Sequence, residues 1–282
     1  LLDGGWGRAL MERGFQAGEC PEEWNVSHPA EVEDIYRSFY AAGSDMVNTN
    51  TFGGTGMRLE AHGFSARAVE FNEAAARLAT GVRDREFPGR WVAGDIGPCG
   101  QMVKPMGNAE PDALHVTFAE QARTLVAGGV DLLNIETMFD LTEATIAVEE
   151  AVKSAGGRPV LASMAFKPAA KGFRTMMGVS PEQAVRALQD AGADLVGCNC
   201  EITCEPMAEL VPVMAELAGG VTYAQPNAGQ PQLEAGETIY TETPEHFASV
   251  VATYPAMGAG IVGGCCGTPP ASIAALAAAL GR

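Results

Sequence analysis

Short apolar runs alternate with helical patterns along the whole chain. The runs Leu1–Asp3, Met46–Thr49, Trp91–Asp95, Leu132–Glu136, Val160–Ala165, Leu195–Asn199, Val221–Gln225 and Ile261–Gly264 have the length of buried strands. Between them, Glu31–Ala42, Ser65–Arg83, Asp112–Ala127, Leu141–Ser154, Pro181–Ala191, Pro206–Leu217, Pro244–Tyr254 and Pro270–Leu280 read as helices. Ser180-Pro181 and Thr243-Pro244 pair a capping hydroxyl with a proline that suits the first helical turn. Ala42-Gly43, Ala127-Gly128-Gly129 and Ala191-Gly192 stop helices just before the next strand, because glycine accepts the left-handed turn that ends a helix.

Eight strand–helix units imply a parallel sheet and favour closure into a (β/α)8 TIM barrel over an open doubly wound sheet. No Gly-x-Gly-x-x-Gly joins a strand to a helix, and no Walker-type phosphate loop is present, which argues against the nucleotide-binding alternative. No linker or low-complexity stretch interrupts the pattern, so residues 1–282 are expected to form a single domain. The unusual polar clusters fall at the C-terminal ends of the strands: Asp3-Gly4-Gly5, Asn48-Thr49-Asn50-Thr51, Gly94-Asp95-Ile96-Gly97-Pro98, Glu136-Thr137, Asn199-Cys200, Gln225-Pro226-Asn227 and Gly263-Gly264-Cys265-Cys266-Gly267. In a barrel those ends converge on one face, where active sites form.

Composition narrows the classes of function. The formal net charge of −17, from 35 acidic against 18 basic residues, argues against nucleic acid and anionic membranes as partners. No apolar run reaches the roughly 18 residues of a transmembrane helix, and the Leu1-Leu2-Asp3 start lacks the pattern of a secretory signal. An odd set of seven cysteines then points to a reducing compartment, the cytoplasm.

The cysteines carry the chemistry. Cys265 and Cys266 are sequence neighbours, which rarely bridge to each other, and their flanking glycines let the backbone bring both sulfurs to one point. They also lack the Cys-x-x-Cys spacing of a thiol–disulfide enzyme. A third thiolate from the sixth strand would complete a soft anionic site that selects zinc and leaves one tetrahedral position for a substrate. Cys200 sits at the strand tip and is the geometric choice. Cys198 is expected on the same face, deeper in the barrel. Cys198, Cys20, Cys99 and Cys204 read as small core hydrophobes.

Gly263-Gly264-Cys265-Cys266-Gly267 and Gly197-Cys198-Asn199-Cys200 resemble the two zinc signatures of the homocysteine S-methyltransferase family. Asn48-Thr49-Asn50-Thr51-Phe52-Gly53-Gly54-Thr55, Gly94-Asp95-Ile96-Gly97-Pro98, Ile135-Glu136-Thr137 and Pro226-Asn227-Ala228-Gly229 are similar to its other strand-tip motifs, so the resemblance covers essentially the whole chain. Within the family it is nearest to the homocysteine-binding barrels of cobalamin-dependent methionine synthases. The resemblance implies that Cys200, Cys265 and Cys266 hold zinc, with Asn227 as a fourth ligand when substrate is absent. It further implies that Glu136 and Asp3 bind the homocysteine ammonium and that backbone amides near Gly4 and Gly5 bind its carboxylate. An amino-acid substrate needs such an anionic clamp. Asp95 is read either as a further substrate residue or as the support of a turn.

Two stretches depart from the family pattern, Asp3-Gly4-Gly5-Trp6-Gly7-Arg8 and the loop expected at Glu201-Ile202-Thr203-Cys204-Glu205-Pro206. Both bear on the methyl donor, for which methylcobalamin on a separate corrinoid protein is expected. The alternatives are betaine, a sulfonium compound or S-methylmethionine, and a small onium donor would want aromatic walls, for which Trp6, Phe52 and Phe139 are the candidates. A different class of function, a non-catalytic zinc-stabilised binding module, is also open.

Overall fold

The computed structural model describes residues 1–234 and 237–282, with side chains outside 231–239. Seven strands pair in parallel in chain order: β1 Met46–Asn48, β2 Trp91–Ile96, β3 Leu132–Met138, β4 Val160–Met164, β5 Leu195–Thr203, β6 Thr222–Asn227 and β7 Ala259–Val262. The predicted first strand, Leu1–Asp3, closes the ring between the two edges of this sheet. Met46 N–H donates to Leu1 O (3.1 Å), Leu2 N–H to Val262 O (2.8 Å) and Gly264 N–H to Asp3 O (2.9 Å). The fold is a (β/α)8 TIM barrel.

Outside it run α1 Pro29–Ala41, α2 Ala68–Glu86, α3 Pro111–Ala127, α4 Leu141–Ser154, α5 Pro181–Asp190, α6 Cys204–Leu217, α7 Pro244–Val251 and α8 Pro270–Ala279. Their starts carry the chemistry the sequence advertises. Ser180 and Gln183 form a reciprocal capping box on α5, and the Thr243 hydroxyl accepts from His246 N–H on α7. Their ends do likewise: Gly43 and Gly192 adopt φ of 106° and 102°, where a side chain would be strained.

The strands are buried on both faces, as parallel strands between a barrel interior and a helix layer must be. Inside, Leu2, Met46, Ala93, Leu132, Leu161 and Tyr223, with Leu195 and Ile261 packed against them, form one layer that takes a residue from each stave. Tyr223 fits because Gly197 opposite has no side chain; a Cβ there would stand 2.3 Å from the ring. The intervening Val47, Leu133, Ala162, Val196, Ala224 and Val262 pack outward against the helices.

That alternation corrects one expectation. Cys198 does not lie deeper in the barrel beneath Cys200. It belongs to the helix-facing core with Val196, because residues two apart share a face and Leu195 and Gly197 already point inward. The expected loop at Glu201–Pro206 is also absent: β5 runs to Thr203 and α6 starts at Cys204. After β6, Pro231–Glu234 and Glu237–Tyr240 pair as an antiparallel hairpin. Among the described residues no helix is long and apolar enough to cross a membrane.

Candidate active site

Three thiols meet at the C-terminal mouth of the barrel. Strand alternation alone would turn Cys200 towards the helices, as it does Cys198, but Cys200 and Glu201 take left-handed backbone angles, φ 59° and 60°. Such angles cost a non-glycine residue of order 1–3 kcal/mol and mark places where surrounding structure holds the chain for a purpose. The other two thiols follow β7. Gly264 is required there, since a Cβ would lie 2.2 Å from the Thr268 side chain. Cys265 N–H donates to Pro226 O (2.8 Å) and Ala228 N–H to Cys266 O (2.9 Å), which pins both cysteines to the end of β6. The three sulfurs lie within 4.8 Å of one another, with Cys200 and Cys266 at 3.7 Å. Hydrogen bonds from the Cys200 and Cys265 thiols hold the Cys266 thiol down to about 4, while its neighbours keep the Cys265 thiol well above the ordinary range.

Asn199 organises the wall beside them. Its Oδ1 accepts from Thr137 N–H (2.9 Å) and the Ser163 hydroxyl (2.9 Å). Its Nδ2 donates to Thr137 Oγ1 (2.7 Å) and stands 3.8 Å from Cys265 Sγ. Thr137 also stands at positive φ (57°), so the three non-glycine residues in that region among the described residues all border this site.

A second anionic group lies inside the mouth. Glu136 Oε2 accepts from Asn134 Nδ2 (3.2 Å), and burial, then the charges of Asp3 and Cys200, push its carboxyl up to about 8. Asp95 is pushed well above the carboxylate range by burial and by the nearby charges of Glu136 and Asp3; its Oδ1 has no hydrogen-bond partner among the described residues. Asp3, raised by burial to about 7, is better satisfied: it accepts from Asn48 N–H (2.8 Å), Asn48 Nδ2 (3.3 Å) and Trp6 Nε1 (3.0 Å). Three buried acids with no ion pair among the described residues are costly unless protonated or paired.

A cavity of about 330 Å³ joins the two groups. Cys200, Cys265, Cys266, Glu136, Asp95, Gly4 and Gly5 line it; Asp3 and Asn227 are buried outside its lining. The Gly5 amide, expected to meet a substrate carboxylate, donates instead to Thr268 O (2.8 Å). Asn227 Oδ1 is buried without a partner among the described residues.

Residues 1–280 match the family model described as homocysteine S-methyltransferase. The chain belongs to the homocysteine S-methyltransferase family. Methionine synthase of Mycobacterium tuberculosis (strain ATCC 25618 / H37Rv) is 31% identical over 269 residues, covering 93% of this chain and 22% of that protein. Methionine synthase of Mycobacterium leprae (strain TN) is 30% identical over 296 residues, covering 99% and 24%. The chain thus spans about a quarter or less of the length of these relatives. Among solved structures, the metallated form of the homocysteine methyltransferase MmuM from Escherichia coli superposes with a TM-score of 0.80 at 23% identity, covering 99% of this chain and 95% of that one, which shows the same fold.

On this family scaffold the cavity has walls that sequence reasoning missed. Tyr240, from the hairpin, seats its ring on Gly267, where a Cβ would stand 2.2 Å from it. Arg8 reaches Gly267 O with Nη1 (2.9 Å), and Arg58 and His62 line the same space. Only Arg8 carried a signal, as part of the departure at the N-terminal motif. Of the predicted aromatics Trp6 and Phe52 line the cavity and Phe139 does not.

Proposed function

We propose that this chain is a zinc-dependent homocysteine S-methyltransferase that forms methionine, with Cys200, Cys265 and Cys266 as the zinc ligands. The convergence of three thiols on a cavity shared with Glu136 carries the reading. The residues fit the ion. With zinc–sulfur bonds of about 2.3 Å, sulfurs on a tetrahedron stand about 3.8 Å apart, and Cys200 and Cys266 stand at 3.7 Å. Asn227, with its unpartnered buried Oδ1, is assigned as the fourth ligand before substrate arrives. When bound, zinc supplies deprotonation of the substrate thiol, which at a free pKa of about 8.5 is mostly protonated at neutral pH.

The chain's own groups do the rest. Glu136 receives the homocysteine ammonium, and Asp95 beside it adds a second negative charge; a cation here relieves the repulsion between the buried acids. With Gly5 N–H committed to Thr268, the substrate carboxylate falls to the main chain around Gly4. Asn199 and the left-handed residues hold Cys265, Thr137 and Cys200 in place. The substrate sulfur attacks the donor methyl carbon in line. A sulfur–carbon bond forms as the bond from methyl to carrier breaks, and the carrier keeps the electron pair. Positioning of the two reactants in the cavity supplies the acceleration.

For the donor we infer methylcobalamin presented by a corrinoid protein. The exposed Cys266 lies open to a large partner, and methionine synthases are among the relatives. A small onium donor is the second reading, favoured by Trp6, Phe52 and Tyr240 on the cavity wall. Homocysteine should be supplied with methylcobalamin, a methylated corrinoid protein, betaine, a sulfonium compound and S-methylmethionine in turn. Methionine is expected with the corrinoid donors, and turnover only with an onium donor would overturn that assignment. Chelation should abolish turnover and leave the fold; unfolding on chelation, with no turnover from any donor, would make the chain a zinc-stabilised binding module instead.

A further inference from the structure

We propose that Cys204, Glu242 and His246 form a second metal site, for a zinc-class divalent cation, where α6 and α7 begin. The Cys204 Sγ, a Glu242 carboxylate oxygen and a His246 ring nitrogen lie within 4.8 Å of one another. Glu205 borders the group from outside: its Oε2 accepts from the Cys204 thiol (3.3 Å) and its Oε1 stands 3.2 Å from His246 Nε2, the ring nitrogen opposite the one that faces Glu242. His246 Nδ1 bonds Glu242 on its other side. One thiol, one imidazole and one carboxylate are a borderline-soft, anionic set that suits zinc and leaves a fourth position for water.

The three come from two separate stretches of chain, and the surroundings hold them. Cys204 is fully buried and its carbonyl accepts from the Tyr254 hydroxyl (2.5 Å). The Glu242 side chain is 11% exposed, and its backbone packs on Gly229, where a Cβ would approach Glu242 N to 3.1 Å. His246 and Glu205 are half-exposed, which gives an ion a way in. The thiol donates its proton towards Glu205, and His246 Nδ1 hydrogen-bonds Glu242. A divalent cation would replace those protons, so binding should release them.

This site is distinct from the thiol trio and uses none of its side chains. Its location gives it a use. Glu242 follows Tyr240 by two residues, and Gly229 and Ala228 lead directly to the backbone bond with Cys266. An ion here would fasten the start of α6 to the return from the hairpin, and so steady the Tyr240 wall of the cavity.

Zinc content of the whole chain, dialysed against buffered zinc, separates the two sites. We expect two equivalents in the native chain and one in Cys265→Ala. Cys265→Ala combined with His246→Ala, or with Glu242→Gln, should hold none, and zinc added to Cys265→Ala should release protons that the double variants do not. A native chain with one equivalent that Cys265→Ala abolishes overturns the second site while leaving the methyl-transfer reading intact. An equivalent that survives both double variants also overturns it. One equivalent in the native chain that persists in Cys265→Ala and disappears in the double variants supports the second site and sinks the trio instead.

Discussion

The barrel interior has two layers, built by the same staves two residues apart, with opposite chemistry. The lower, Leu2, Met46, Ala93, Leu132, Leu161 and Tyr223 with Leu195 and Ile261, is apolar and closely packed. The upper, one step along each strand, places Asn48, Asp95, Asn134, Ser163 and Gln225 in the barrel and leads to Glu136 and the thiols. Tyr223 joins them by donating to Asn134 Oδ1 (3.0 Å). The lower layer is held by burial. The upper layer holds costs: oxygens of Asp95, Gln225 and Asn227 without a partner among the described residues, raised carboxyl groups, and Thr137, Cys200 and Glu201 in left-handed backbone. A barrel can carry such a face because the other layer and the helix core supply the stability.

The largest effect should come from breaking the upper layer at its three thiols. Cys265→Ala should lower methyl transfer on the order of 10³-fold or more, since both thiol activation and positioning go. Cys198→Ala, two residues from Cys200 but facing the helices, should keep zinc and turnover. Elemental analysis and a methionine assay on both variants test this, and equal zinc loss in the two would erase the distinction between the faces of β5. In the lower layer, Leu161→Ala should cost about 2–5 kcal/mol of stability by opening a cavity. Urea unfolding measures that loss, and zinc content should be unchanged. A loss of zinc in this variant would mean that the layers are not separable.

The same contrast explains what could be seen in the sequence. The apolar staves, their helices and the ends of most elements were legible, because periodicity, Ser-Pro and Thr-Pro starts and glycine stops are local signals. The vicinal Cys265-Cys266 pair was legible for the same reason. Cys198 was placed on the wrong face because a period of two was carried through to Cys200, and nothing local announces that Cys200 and Glu201 break it with left-handed angles. Tyr240 reaches the cavity from the hairpin that follows β6, and the Glu242–His246 pair reaches Cys204 from the helix start after it. Their neighbours are set by tertiary packing. The commitment of the Gly5 amide to Thr268, more than 260 residues away, is equally invisible in sequence.

The smallest effect sharpens the comparison at one carboxylate. Glu136→Gln keeps the shape of the side chain and removes its charge, so homocysteine binding should weaken by about 1.5–3 kcal/mol, as for a lost charge-assisted hydrogen bond. Calorimetric titration with zinc content held constant would show it. Stability should move the other way. Burial raises the folded-state pKa of Glu136 to about 8, above the roughly 4.3 of an unfolded glutamate. A group raised in this sense contributes stability that is fully present below the unfolded value and is lost as pH rises through the folded one. The ligand-free protein should therefore lose stability between about pH 4 and pH 8, and Glu136→Gln should flatten that decline, leaving a residual slope from Asp3, raised to about 7, and from Asp95, also raised by burial. Homocysteine supplies the missing cation, so in the native chain it should restore most of the stability lost near pH 8, and in Glu136→Gln much less. If the variant binds homocysteine normally and shows the native slope with pH, Glu136 is a passive part of the polar layer, and the ammonium sits against Asp95.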